Sequence, residues 1–348
     1  VVEREAREAE VVYLHHPNPY NPRIAYPVRA CLSFENLRPG FFRLRGNEGL
    51  FRQLFGFDSW WDAQKYFDAV KFYQVNVLGE KPEVKLNSIL SPFMQYLATL
   101  WLLRRRKDLH ELSAFFGVSK QRMSDYTRKW IKRLGAFSKA NLVTHPEHPE
   151  DWQSIVDQAP QAFIDCGLQQ VVAIGDCTDI LTMEPKKGIC QRNQLRSEKS
   201  AHSVAMGLSW VTPTGYIVCC TDLFTGRTSE NAACQACLCV LNEIPSQFAL
   251  MYDKGVNKLR PLLANLNQVI IPCFLRKIKR FSYDQGVRNR GIACCRAVVE
   301  IPFRNIKRWE FLSGVVPEYE FDLLNDAWWF AVGFHNLKHG LLKIPAGP

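Results

Sequence analysis

Three acidic residues stand where an α/β chain can do chemistry. Asp176 follows the apolar run Val171-Val172-Ala173-Ile174-Gly175, Asp253 follows Phe248–Tyr252, and Glu300 lies inside Val298-Val299-Glu300-Ile301. The two runs read as strands with an aspartate at each carboxyl end, and the third segment as the middle of a helix. In open α/β sheets, ligands sit outside the carboxyl ends of the strands. Three carboxylates near one sheet edge could hold two divalent cations about 3.5–4 Å apart. All-oxygen ligation selects Mg²⁺ or Mn²⁺. One cation would activate a water or a 3′-hydroxyl, and the other would stabilise the leaving oxygen of a phosphodiester. Singly, each acid also reads as a cap, a turn acid or half of a salt bridge. Basic groups suit a phosphate-rich substrate: Arg304 and Lys307 follow Glu300 on one helical face, and Lys254 adjoins Asp253. Arg276, Lys277, Lys279, Arg280, Arg288 and Arg290 flank a nearby loop, and read equally as solvated surface.

The elements that would position these acids follow from period and punctuation. Gln170–Met183 reads as a strand, and Ser203–Val211 with Tyr216–Phe224 as two more, joined by the turn Thr212-Pro213-Thr214-Gly215. Ser229 caps a helix to Leu241, with Glu230 in its first turn. The strand at Phe248–Tyr252, a helix around 257–265, a strand over Gln268–Leu275 and helices over Gly291–Trp309 and Asp322–Gly340 complete the order β, ββ, α, β, α, β, α. That order predicts an α/β domain with a mixed sheet flanked by helices. Pro302 breaks the pattern of the Glu300 helix. It removes a backbone donor and crowds the Val298 carbonyl, at ~3 kcal/mol in a helix interior. The helix should therefore kink or begin late.

A second constellation precedes this domain. Leu109–Phe116 reads as a short helix, Gly117 as a sharp turn, Ser119 as an N-cap and Lys120–Leu134 as a second helix. This is the layout of a helix-turn-helix. The second helix carries Lys120, Arg122, Arg128, Lys129, Lys132 and Arg133, with Met123, Tyr126, Trp130, Ile131 and Leu134 behind them. An ordinary αα-hairpin with a solvated face would mix signs; this one is nearly all positive, which favours DNA. The division expected is a linker or arm over 1–35, a helical DNA-binding region over 36–137, a linker with a short helix over 138–168, and the α/β domain over 169–340.

Composition narrows the classes. The 348 residues allow two or three domains at ~150 residues each, and 47% hydrophobic with 22% charged residues excludes global disorder. Lys and Arg number 44 against 34 Asp and Glu, a net charge of +10 that suits a polyanion. No apolar run reaches the ~20 residues that span a bilayer, and the charged N-terminus lacks a signal core. The 12 cysteines fall in adjacent pairs and one helical cluster, awkward for bridging, so reduced buried thiols are expected. Cys234-x-x-Cys237 has no second pair at finger spacing and reads as core.

Gly175-Asp176-Cys177-Thr178-Asp179-Ile180, Gly226–Asn231, Tyr252-Asp253-Lys254-Gly255, Val299–Lys307 and Phe334-His335-Asn336-Leu337, in this order and behind a helix-turn-helix, resemble the DDE-superfamily transposases. The group resembled is the PIF/Harbinger type with its bacterial insertion-sequence relatives, over about residues 85–340. The resemblance implies an RNase H-like catalytic fold with Asp176, Asp253 and Glu300 as the catalytic and metal-holding acids, ligands of two Mg²⁺ or Mn²⁺ ions. It also implies cleavage and strand transfer at double-stranded transposon ends, with Lys120, Arg122, Arg128, Lys129, Lys254, Arg304 and Lys307 toward the DNA. A homo-oligomer and an accessory DNA-binding protein are expected, and a nuclear place in a eukaryote or a cytoplasmic one otherwise. The chain departs from the pattern at Ser229-Glu230, at Val256 and at Pro302. Two rivals remain open: a domesticated DNA-binding protein without catalysis, and a protein-interaction scaffold.

Overall fold

The computed structural model describes residues 11–13, 25–27, 47–80, 89–146, 148–186, 189–197, 201–253, 260–263, 268–273 and 280–339. Lys254, Arg276, Lys277, Lys279 and most of the 257–265 segment lie outside the described residues.

A short antiparallel pair, β1 (Val11–Tyr13) and β2 (Ala25–Pro27), precedes five helices. These are α1 (Glu48–Phe55), α2 (Trp60–Asn76), α3 (Pro92–Arg105), α4 (Leu109–Phe116) and α5 (Lys120–Asn141). The side chains of Asn47, Ser59, Ser91, Asp108 and Ser119 each accept a backbone N–H of the first turn, so all five helices start on a cap. The 138–168 segment, read as a linker with a short helix, carries the end of α5 and two short helices, α6 (Pro149–Asp157) and α7 (Gln161–Asp165).

Next comes the sheet. β3 (Val171–Leu181) is followed by α8 (Ile189–Leu195), β4 (Val204–Val211), β5 (Ile217–Cys220) and β6 (Phe224–Thr225). Two short helices, α9 (Glu230–Gln235) and α10 (Leu238–Leu241), lead to β7 (Ala249–Met251) and β8 (Gln268–Ile270). The strands order as β5-β4-β3-β7-β8, with β6 also on β4. β3, β4 and β5 run antiparallel, and β7 and β8 extend the sheet parallel to β3. Three antiparallel strands followed by two parallel ones make the mixed sheet of an RNase H-like fold. The chain closes with α11 (Tyr283–Arg296), α12 (Glu300–Lys307), α13 (Glu310–Ser313) and α14 (Phe321–His339).

Alternation along the strands divides the core in two. Ala249 and Met251 face one side and Leu250 the other. On the second side, Val172, Leu208, Trp210 and Val218 pack against Trp152 and Ile155 of α6 and Ala233 and Cys234 of α9. On the first, Ile174, Val211 and Ile217 join a cluster that runs without a break from Phe51 and Phe93 through Trp130 to Trp328 and Phe334. The helices before the sheet and those after it therefore share one core. α5 lies directly along α14: a Cβ on Gly135 would stand 2.6 Å from the Asp326 carbonyl oxygen, so no larger residue permits this approach. The buried Tyr66 hydroxyl and Ser138 Oγ, 3.0 Å apart, tie α2 to α5 in the same layer.

Among the described residues, no helix is long and apolar enough to cross a membrane. Ten described cysteines are free, and Cys234 and Cys237 are buried in the second core.

A candidate carboxylate site at the sheet edge

Strand register brings two of the acids together. β7 is parallel to β3 with Met251 opposite Ile174. Two residues further along both chains stand Asp176, still within β3, and Asp253, just past the end of β7. Asp176 is not at a strand end, as the sequence suggested. β3 continues to Leu181 because β4 pairs with it throughout, Asp176 opposite Ser209. The strand that ends here is β7, and its end opens the edge beside Asp176.

Arg296, at the last turn of α11, fills the gap. Its Nη1 lies 3.1 Å from Asp253 Oδ1 and its Nη2 lies 3.4 Å from Asp176 Oδ2. The other oxygen of Asp176 accepts the Cys177 N–H at 2.8 Å. Burial pushes the Asp176 carboxyl up to about 6; the Arg296 charge and the Cys177 N–H work against that shift, and the charges of Glu300 and Glu230 add to it. Glu300 thus acts electrostatically on Asp176.

Glu300 is not in mid-helix. After Arg296 the chain tightens into a 3₁₀ turn, Ala297–Val299, and α12 begins at Glu300 itself. Pro302 is the reason. At the third position of a helix its missing N–H would have no intrahelical partner in any case, so the late start removes the penalty expected for an interior proline. Pro302 is buried, while Glu300 is exposed one turn beyond Arg296. Arg304 is exposed and Lys307 half-buried on α12.

The donors suit a hard divalent cation: carboxylate oxygens, two of them already sharing a positive partner. Their placement is incomplete. Among the described residues, no three His, Cys, Asp or Glu side chains stand close enough to hold a metal ion, and a guanidinium occupies the space between Asp176 and Asp253. Sequence reasoning missed Arg296. Its signal in the sequence is an arginine four residues before Glu300, a cation like those the acids were expected to hold but one supplied by the chain itself. Glu230, Ser229-capped at the start of α9, was read only as a first-turn acid.

α4 and α5 are joined by a tight turn, and α5 runs on to Asn141, past the Leu134 expected. Gly117 adopts φ +66°, and Val118 N–H bonds to Ser113 O at 3.0 Å; Ser119 Oγ accepts the Arg122 N–H at 3.3 Å. Lys120, Arg122, Lys129 and Lys132 are exposed. Lys120 Nζ lies 2.9 Å from His110 Nε2. Arg128 pairs with Asp322 of α14, Arg133 with Glu80 at 2.6 Å, and Lys139 with Asp222 at 2.8 Å.

Residues 175–336 match the DDE superfamily endonucleases. The matched segment starts one residue before Asp176 and ends at Asn336, so it holds all three acids, Arg296 and α12, and leaves α4 and α5 outside. A search of curated proteins finds no match. Solved structures similar to the chain include a Mos1 transposase paired-end complex with the left transposon end, at 13% identity and a TM-score of 0.22, covering 67% of this chain and 83% of that one. A Mos1 mariner paired-end complex with Mn shows 13% identity and a TM-score of 0.21, covering 72% and 88%. Scores this low add nothing to the strand order, on which the fold assignment rests.

Proposed function

We propose that the protein is a metal-dependent DNA endonuclease and strand-transfer enzyme of the transposase type, of PIF/Harbinger character, with Asp176, Asp253 and Glu300 as its catalytic acids. The observation that supports this reading is the convergence of Asp176 and Asp253 on Arg296 at the end of β7, inside a segment that matches the DDE superfamily endonucleases. In this reading the three carboxylates hold Mg²⁺ or Mn²⁺, two ions in the full site. Bound there, the ions would supply an activated water or 3′-hydroxyl and charge stabilisation at the leaving oxygen. The chain's own residues do the rest. Asp176, half-buried on a rigid strand, fixes one wall of the site; Asp253 and Glu300 bring the other donors from separate elements. Lys120, Arg122 and Lys129 face the DNA duplex from the first turns of α5, the part of a recognition helix that meets bases and phosphates. Lys254, Arg304 and Lys307 serve the DNA near the acids. The substrate in this reading is double-stranded transposon ends, the working form a homo-oligomer with an accessory DNA-binding protein, and the compartment the nucleus if the source is a eukaryote and the cytoplasm otherwise.

One observation favours a second reading, a transposase-derived DNA-binding protein without catalysis: Arg296 already neutralises the aspartates. The experiment that separates the two is nicking of supercoiled DNA with Mg²⁺ or Mn²⁺ against a chelator control, for the wild type and Asp253→Asn. The nuclease reading expects metal-dependent nicking that disappears in the variant. A wild type that binds DNA and never nicks it, indistinguishable from Asp253→Asn, would leave the DNA-binding reading.

A further inference from the structure

A cavity of about 170 Å³ lies on the opposite end of α12 from the acids, lined by Arg52, Asp58, Arg104, Arg308, Trp309 and Lys338 among others. It is a built site. α1 stops at Gly56 in the left-handed conformation (φ +82°), and a Cβ there would stand 2.9 Å from the Trp309 ring, so glycine alone lets that indole form the floor. The Arg104 guanidinium lies over the same ring, 5.3 Å from its centroid. Four cations line the cavity against one carboxylate, and that carboxylate is taken: Asp58 pairs with Arg52 at 2.7 Å and with Lys338. Arg104 and Arg308 line the same cavity and act on each other as like charges, and neither guanidinium has a hydrogen bond or ion pair among the described residues. Glu310, whose charge opposes theirs at Arg104, is held by Arg105 at 2.9 Å. Burial and the charges of Arg308 and Arg105 hold the Arg104 guanidinium below its ordinary range, as expected where positive charge awaits an anion.

We infer that this cavity is a phosphodiester subsite that grips the DNA strand being processed. The inference rests on the nuclease reading and extends it by naming where the strand runs. Two guanidinium forks, one of them stacked on the Trp309 ring, suit the oxygens of a phosphate group. Arg308 and Arg52 are exposed at the mouth, so a polymer can pass through rather than a small ion being enclosed. From Glu300 to Arg308 the chain climbs eight residues of near-helical backbone, ~12 Å at 1.5 Å per residue. At ~3.4 Å per nucleotide of one strand, that places the gripped phosphate about three to four nucleotides from the bond at the acids. Arg304, exposed between the two, marks the path.

The test uses the full chain and a duplex with a labelled strand. Arg308→Gln removes an exposed side chain whose guanidinium has no hydrogen bond or ion pair among the described residues; Arg104→Gln tests the stacked one, and Arg308→Gln alone suffices if Arg104→Gln fails to fold. Each substitution should lower the slope of log affinity against log salt by ~0.9. In the wild type, a neutral methylphosphonate scanned along the strand should weaken binding most at one position, three to four nucleotides from the nick, and that position should lose its effect in Arg308→Gln. An unchanged salt slope in Arg308→Gln, with the wild type binding normally, overturns the subsite. Inorganic phosphate is the second arm: if it raises the melting temperature of the wild type and not of Arg308→Gln while the DNA slope is unchanged, the cavity takes free phosphate and the strand assignment falls. The nuclease reading fails on a different measurement, metal-dependent nicking, and a lowered slope without nicking would uphold the subsite while removing that reading.

Discussion

The α5 helix and the sheet edge at Asp176 both concentrate charge, and they dispose of it in opposite ways. Along α5 the cations fall into two groups. Some meet acids from other elements, Arg128 with Asp322, Arg133 with Glu80 and Lys139 with Asp222, and so hold the helix against its neighbours. Those at its start, Lys120 and Arg122, point to solvent. At the sheet edge one cation, Arg296, serves two acids, and the acid it shields least from burial, Asp176, is left with a raised affinity for protons. Charge on α5 is thus divided between packing and partner, whereas charge at the sheet edge is concentrated on one spot that any incoming cation must contest with Arg296. The comparison teaches that a run of basic residues is a poor count of DNA contacts until the paired ones are set aside.

The largest effect that would sharpen this contrast is a change in stability at Asp176. Its carboxyl is raised from 3.8 to about 6 in the folded chain, so the folded state holds the proton more tightly than the unfolded one. That contribution is fully present below pH ~4 and is lost as pH rises through about 6. Asp176→Asn cannot lose it. Measured by denaturant unfolding without metal, the variant should gain on the wild type by about 2 kcal/mol between pH 4 and pH 7. A stability difference that stays flat across that range would mean Asp176 is not the strained acid of the site.

Next is the contest at Arg296. Arg296→Gln keeps a donor but removes the positive charge between the aspartates. Mn²⁺ affinity, read by calorimetry on the protein without DNA, should rise about tenfold, the scale on which groups around a metal site alter affinity. A fall of the same size would show that Arg296 holds the acids in place rather than competing for them. Smallest is Arg128→Ala on α5. The loss of its pair with Asp322 should cost about 0.5 kcal/mol of stability and leave the DNA salt slope unchanged. A slope reduced by ~0.9 would return Arg128 to the DNA face.

Much of this was legible in the sequence, for local reasons. Gly117 and Ser119 announced the turn between α4 and α5, Ser229 announced α9, and Thr212–Gly215 announced the β4–β5 turn, because turn and cap chemistry is carried by the residue itself. Apolar runs before Asp176 and Asp253 placed both acids at the sheet. What stayed hidden depends on partners distant in the chain. Arg296 meets Asp176 across 120 positions, and Arg128 meets Asp322 across 194. The Arg104–Arg308 cavity exists only when α3 packs beside the end of α12. The start of α12 was half legible: Pro302 signalled a break, but only the 3₁₀ turn at Ala297–Val299 shows that the break precedes Glu300 and leaves the proline in the first turn.

The central claim is that the two regions divide the work, with α5 binding DNA and the sheet edge cutting it. Single-turnover nicking at enzyme concentrations above and below the dissociation constant tests this most directly, on two variants side by side. Arg122→Glu/Lys129→Glu should bind more weakly, with the salt slope reduced by ~1.8 for two contacts, yet nick at the wild-type rate once the DNA is saturated with protein. Asp253→Asn should bind within a few-fold of wild type and not nick at any concentration, with Mg²⁺ or Mn²⁺ present. If instead both variants lose binding and nicking in parallel, or the charge reversal on α5 leaves affinity untouched, the division between the two regions does not exist.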